Sequence, residues 1–117
     1  MGLELLTVSR DEVSGRLPVE GNTQPFGVLH GGVSAYLAET LASIAAMLEV
    51  GPQGRASGVD LNATHHAPVR EGWVTGVARP LRVGRTVASY EVVITDDRGD
   101  RVCTARLTVF LQRPPRG

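Results

Sequence analysis

The chain has 117 residues, the length of one domain, and its 12 basic residues balance its 12 acidic ones. That balance leaves no positive field to attract nucleic acid, and a single cysteine, Cys103, excludes an intrachain disulfide and a zinc site made of cysteines. The opening MGLELLTVSRDEVSG has no basic segment before an apolar core and no myristoylation pattern, and the longest apolar run, about 16 residues broken by Glu39, is too short and too polar to cross a bilayer. These features predict a soluble, cytoplasmic, single-domain protein without a membrane or nucleic-acid partner.

Leu3 to Val8 and Glu12 to Val19 read as the two arms of an antiparallel hairpin, or as one bent strand pair, around Ser9-Arg10-Asp11. Glu20 to Gly27 is a polar loop broken by Gly21, Asn22, Pro25 and Gly27. A helix is predicted from Gly31 or Gly32 to about Val50, ahead of Gly51-Pro52. Val33, Leu37, Leu41, Ile44 and Leu48 recur along one stripe, and Ala35, Ala38, Ala42, Ala45 and Ala46 fill the rest. A helix apolar nearly all round is expected to be buried.

Four strand-like segments follow: Ala56 to His66, Trp73 to Val83, Thr86 to Thr95 and Arg101 to Gln112. In the last, Cys103, Ala105, Leu107, Val109 and Leu111 alternate with Thr104, Arg106 and Thr108. Turns at Arg70-Glu71-Gly72, Val83-Gly84-Arg85 and Asp97-Arg98-Gly99 predict that the four run as an antiparallel meander. Arg113 to Gly117 reads as a frayed, Pro-rich tail, leaving residues 1–112 as the domain. One apolar helix needs a sheet to cover it, so the fold class is α+β, with the helix against a curved antiparallel sheet.

The segment QPFGVLHGGVSAYLAETLASIAAM carries one charge inside its helix, Glu39. Glu39 and Ser43 are four residues apart and share a helical face, flanked by Ala35 and Ala46. A lone surface carboxylate is one reading. A carboxylate in a partly apolar groove, suited to nucleophile or general-base work near neutral pH, is the other. Gly31-Gly32 opens the helix, where unpaired N–H groups and the macrodipole favour negative charge. The glycines either build an oxyanion hole for acyl transfer or simply allow a tight entry into the helix. Gln24 could bond a thioester carbonyl or a water, or face solvent. His30 could be a base or a structural hydrogen-bonder. His65 and His66 are neighbours in a strand and should point to opposite faces, which suits them poorly to a joint metal site. No G-x-S-x-G elbow is present, and Cys103 falls on the apolar face of its strand, so a serine or cysteine nucleophile is not expected.

QPFGVLHGGVSAYLAET, followed by VDLNATHHAPVREGWVTGVARPLRVGRTVASYEVVITDDRGDRVCTARLTV, resembles the hotdog-fold acyl-CoA thioesterases. It is most similar to their aryl-CoA branch, which includes the 4-hydroxybenzoyl-CoA and 1,4-dihydroxy-2-naphthoyl-CoA thioesterases and the proofreading thioesterase of enterobactin synthesis. The resemblance spans roughly Leu17 to Leu111 and implies hydrolysis of an acyl-CoA, or of an acyl carrier protein thioester, without metal or organic cofactor. It implies that Glu39 is the catalytic carboxylate, attacking the thioester or activating water. It implies further that the Gly31 N–H polarises the carbonyl, Gln24 helps hold the thioester or the water, and His30 shapes the loop. Ser43 would orient the water, and His65 would lie near the acyl group. The family's sites form between two subunits, with Gln24, His30 and Gly31 from one and Glu39 and Ser43 from the other, so a homo-oligomer is implied, a tetramer built from dimers. The sequence departs from the pattern at Ala67, where relatives often carry Arg, and it reaches its first strand without the family's usual helical segment. Arg82 and Arg85 are the alternative contacts for CoA phosphates, through the bidentate geometry of the guanidinium. Two rival readings are a hotdog hydroxyacyl dehydratase and a non-catalytic acyl-CoA-binding module.

Overall fold

The computed structural model describes residues 1–115. In chain order the elements are β1 (Glu4–Val8), β2 (Val13–Pro18), α1 (Gly31–Val50), β3 (Arg55–His65), β4 (Trp73–Val83), β5 (Val87–Thr95) and β6 (Arg101–Gln112). The strands form one six-stranded antiparallel sheet in the order β1-β2-β4-β5-β6-β3. The sheet curls round α1, which touches every strand from β2 to β6.

Three of the four expected hairpins form, β1–β2, β4–β5 and β5–β6. The expected meander does not, because β3 skips β4 and pairs with β6 at the far edge, with Arg55 opposite Gln112 and His65 opposite Cys103. The place beside β4 is taken by β2, whose Val13 to Pro18 run against Ala78 to Trp73. Arg70-Glu71-Gly72 therefore ends a crossing segment rather than a hairpin. That segment is held by Leu29 N–H donating to the Val69 carbonyl and Val19 N–H to the Gly72 carbonyl.

The helix starts and stops where Gly31 and Gly51-Pro52 suggest. Gly51 carries a positive φ of 79° and donates its N–H to the Met47 carbonyl, the local geometry glycine accepts without strain. At 20 residues α1 is longer than the apolar run alone, and by length and composition it could span a membrane. Here the sheet covers its inner face instead. Ser34, Leu37, Ala38, Leu41, Ala42, Ala45, Ala46 and Val50 are buried. The burial is one-sided, contrary to the expectation from its all-round apolarity. Tyr36, Glu39, Met47 and Leu48 remain exposed. The alanines, not Leu48, complete the inner face, because small side chains let the helix lie close to the sheet.

That closeness is visible at Leu41. Gly15 and Gly76 face each other across β2 and β4, and a Cβ on Gly76 would stand 2.9 Å from Leu41 Cδ1. The two glycines leave a shallow seat into which Leu41 sinks to complete burial, worth about 1.5–3 kcal/mol of transfer free energy. Around it the core is Val13, Leu17, Leu37, Val74, Tyr90, Val92, Ile94, Leu107 and Leu111. After β6, Arg113 donates to the Arg85 and Gly84 carbonyls and lies 3.6 Å from Glu49. Arg116 and Gly117, in the tail expected to fray, lie outside the described residues.

Candidate active site

The segment before α1 is tied into a fixed shape by its own backbone. Gln24 N–H donates to the Val28 carbonyl, Gly27 N–H to Gln24, and His30 N–H to Asn22. The Asn22 amide in turn donates to the Pro18 and Met1 carbonyls. His30 is the N-cap of the helix. Its Nδ1 accepts the Gly32 N–H at 2.9 Å, which leaves the ring proton of the neutral form on Nε2. Its carbonyl accepts the Val33 N–H at 2.9 Å and, more weakly, the Ser34 N–H at 3.4 Å. Three of the first four amides of the helix are thus occupied. The fourth, Gly31 N–H, has no partner among the described residues.

Gly31 lines a pocket of about 300 Å³ with Gln24, Leu29, Ser34, His65, His66, Pro68 and Val69. The imidazole of His65, at the end of β3, lies over Gly31, so that a Cβ there would stand 3.2 Å from Nε2. Neither ring nitrogen of His65 and neither end of the Gln24 amide has a hydrogen-bond partner among the described residues. The free amide, the carboxamide and the imidazole therefore share one small space, at the positive end of the macrodipole. A carbonyl oxygen gaining negative charge would be stabilised there. Among the described residues no three His, Cys, Asp or Glu side chains gather as a metal site would require.

The rings of His65 and His66 part as the strand pattern suggests: that of His65 lies over Gly31, and that of His66 reaches Thr104, the residue after the Cys103 that pairs with His65. β3 ends at His65, and both residues border the pocket. His66 Nε2 lies 2.8 Å from Thr104 Oγ1, which also accepts from Arg101.

Glu39 stands apart from this pocket. Eight residues further along α1, it is about 12 Å from Gly31 along the helix axis. It is exposed, and its carboxylate lies over Gly58 of β3, where a Cβ would come 3.7 Å from Oε2. It makes no salt bridge or hydrogen bond among the described residues. Opposite it β3 bulges between Gly58 and Asp60. Ser43 follows one turn later and is half-buried, whereas Ala46, expected to flank this face, is in the core. Arg82 and Arg85 lie at the β4–β5 turn, the end of the sheet next to the C-terminus of α1 and away from Gly31. Both are exposed and unpaired among the described residues. One chain thus unites Gln24, Gly31 and His65, with His30 as their support, and holds Glu39, Ser43 and the two arginines elsewhere.

The sequence pattern does not single out Ser34, and it offers His66 only as half of a metal pair. The signal for Ser34 is a hydroxyl on the buried stripe of an apolar helix, one turn after Gly31. Cys103 sits in the core, where burial pushes its thiol above the usual range, away from the thiolate a nucleophile needs.

The model of a sequence family described as the thioesterase superfamily matches residues 26–103, most of the chain, including the helix start, Glu39 and all three histidines. The chain belongs to this superfamily. A proofreading thioesterase, EntH, of Klebsiella pneumoniae is 52% identical over 92 residues, 78% of this chain and 67% of that protein. The EntH of Cronobacter turicensis is 43% identical over 109 residues, 92% of this chain and 80% of its own. The crystal structure of a thioesterase from Haemophilus influenzae superimposes with a TM-score of 0.90 at 38% identity, covering 95% of this chain and 78% of that one. The protein is a thioester hydrolase, and its single helix wrapped by six antiparallel strands is the hotdog fold of these thioesterases.

Proposed function

We propose that this thioesterase hydrolyses an acyl-CoA, of aryl or similar type, in a site shared between two copies of the chain. The observation that carries the proposal is the separation of Gly31 from Glu39. A free N–H ready for a carbonyl oxygen and an unpaired carboxylate lie on one helix but about 12 Å apart. A reacting carbonyl cannot touch both in one chain. A second copy facing the first can bring its Glu39 and Ser43 to the first copy's Gly31.

In this reading the thioester oxygen takes the Gly31 N–H, and Gln24 holds the thioester or the water. Glu39 attacks the carbonyl carbon or removes a proton from the water that does so, with Ser43 orienting that water. The C–S bond breaks, the acyl carbon gains the water's oxygen, and a proton passes to the departing thiolate. The products are the free acid and CoA. His65, over Gly31, would contact the acyl group, and Arg82 and Arg85 would reach the CoA phosphates from another subunit. The assembly is a cytoplasmic tetramer of two dimers, and no cofactor takes part.

Thiol release from benzoyl-, 4-hydroxybenzoyl-, dihydroxynaphthoyl-, acetyl-, hexanoyl- and palmitoyl-CoA tests this. Turnover should favour the aryl members and fall at least 100-fold in Glu39→Ala, about the cost of removing an essential carboxylate. Undiminished turnover in that variant, or a monomer by light scattering at micromolar concentration, would refute it. Release only from an acyl carrier protein thioester would move the donor from CoA to that protein.

A further inference from the structure

Ser34 is only 4% exposed, yet its hydroxyl has no hydrogen-bond partner among the described residues. It does not bond back to the carbonyl four residues earlier, the usual recourse of a serine inside a helix. That carbonyl, on His30, is already taken by the Val33 and Ser34 amides. What exposure the residue has opens into the pocket of Gly31, Gln24 and His65, which it lines. Among the described residues no side-chain polar atom is both sealed from solvent and without a partner, so the Ser34 oxygen stays open to a group that enters the pocket.

The placement follows from helix geometry. Gly31 and Ser34 are three residues apart and share a face, and helical side chains lean toward the N-terminus. The Ser34 hydroxyl therefore leans over the first turn, toward the amide that His30 leaves free. Two groups able to donate to one oxygen meet there, one from the backbone and one from a side chain.

We propose that Ser34 is a catalytic residue whose hydroxyl donates a second hydrogen bond to the thioester oxygen seated on the Gly31 N–H. The proposal rests on the shared-site reading above. As the carbonyl carbon becomes tetrahedral, charge accumulates on that oxygen, and the hydroxyl bond strengthens with it. The bond thus lowers the barrier more than it tightens substrate binding. A rotatable hydroxyl is less fixed than a backbone amide, so its loss should cost less than that of a main donor.

The test is steady-state thiol release by the native protein, Ser34→Ala, Ser34→Cys and Glu39→Gln, with the melting temperature of each. Ser34→Ala should lower kcat about ten- to a hundredfold, with KM changed less than about twofold and melting unchanged or raised. Ser34→Cys fills nearly the same space but donates poorly, so it should lose rate with Ser34→Ala. A native kcat in either variant overturns the proposal, as does a rise in KM that accounts for the whole loss. Glu39→Gln separates the two layers: its retention of turnover would bring down the shared-site reading itself. Its loss of turnover beside a fully active Ser34→Ala would remove only the role of Ser34.

Discussion

Replacing Gly31 with alanine should separate stability from activity. Gly31 has no positive φ, so alanine can adopt its backbone conformation. Removing glycine's freedom from the unfolded chain is worth about 0.4–1 kcal/mol. Against this stands one contact: the new methyl would meet the His65 ring at 3.2 Å from Nε2 and 3.3 Å from Cε1. That ring must retreat by a few tenths of an ångström, and it can. It is exposed, sits at a strand end and has no hydrogen bond to lose among the described residues. Melting temperature should therefore stay level or rise by up to about 4 °C. Activity should move the other way. The methyl narrows the approach to the free N–H and displaces the imidazole beside it, and small misplacements at a reacting centre cost about tenfold or more in kcat/KM. Differential scanning calorimetry and thiol release on the same sample measure both. A fully active Gly31→Ala would mean that the carbonyl does not lie against this residue. A loss of more than about 1 kcal/mol of stability would mean that His65 is held by more than packing.

His30→Ala removes the cap on Gly32 N–H and should cost about 0.5–2 kcal/mol in urea unfolding, most of which His30→Asn should restore. An equal loss in both variants would show that the imidazole matters beyond its Nδ1. Alkaline stability should decline early. Burial raises the Cys103 thiol above its usual 9.0. Burial first and Glu49 second raise the Tyr90 phenol above 10.0, with Arg113 opposing. The folded chain keeps protons that the unfolded chain releases, so stability falls with rising pH between each group's ordinary value and its folded one. The slope is at most about 1.4 kcal/mol per pH unit for each group. Urea midpoints that stay flat from pH 8 to 11 would contradict the shifts.

Local features carried much of this structure into view from the sequence. The stripe from Val33 to Leu48 and the Gly51-Pro52 stop located α1, and strict alternation from Cys103 to Leu111 located β6. What alternation cannot encode is which strand lies beside which. β3 is mostly exposed along its length, and nothing in Arg55 to His65 points to β6 rather than β4. Its position follows from β2 occupying the edge of β4, a competition between segments far apart in the chain. The site divides in the same way. Gly31 and Gln24 were legible because a glycine pair at a helix start and an amide in the adjoining loop are local. That His65 would lie over Gly31 depends on where β3 ends. Ser34 stayed hidden because a serine in an Ala-rich helix is unremarkable until its partners are counted.

The place of β3 also sets an order of assembly. Its one partner among the described residues, β6, is made after all the other strands described, and Arg55 must wait for Gln112. During synthesis the helix emerges early, while the strands that cover its inner face arrive one by one. β4, β5 and β6 can close as successive hairpins with short loops, and only then can β3 zip onto the growing edge. His65 stands at the end of β3, so the pairing with β6 fixes its place over Gly31. A nascent chain stalled before β6 would hold α1 with part of its apolar face uncovered, a ready substrate for chaperones.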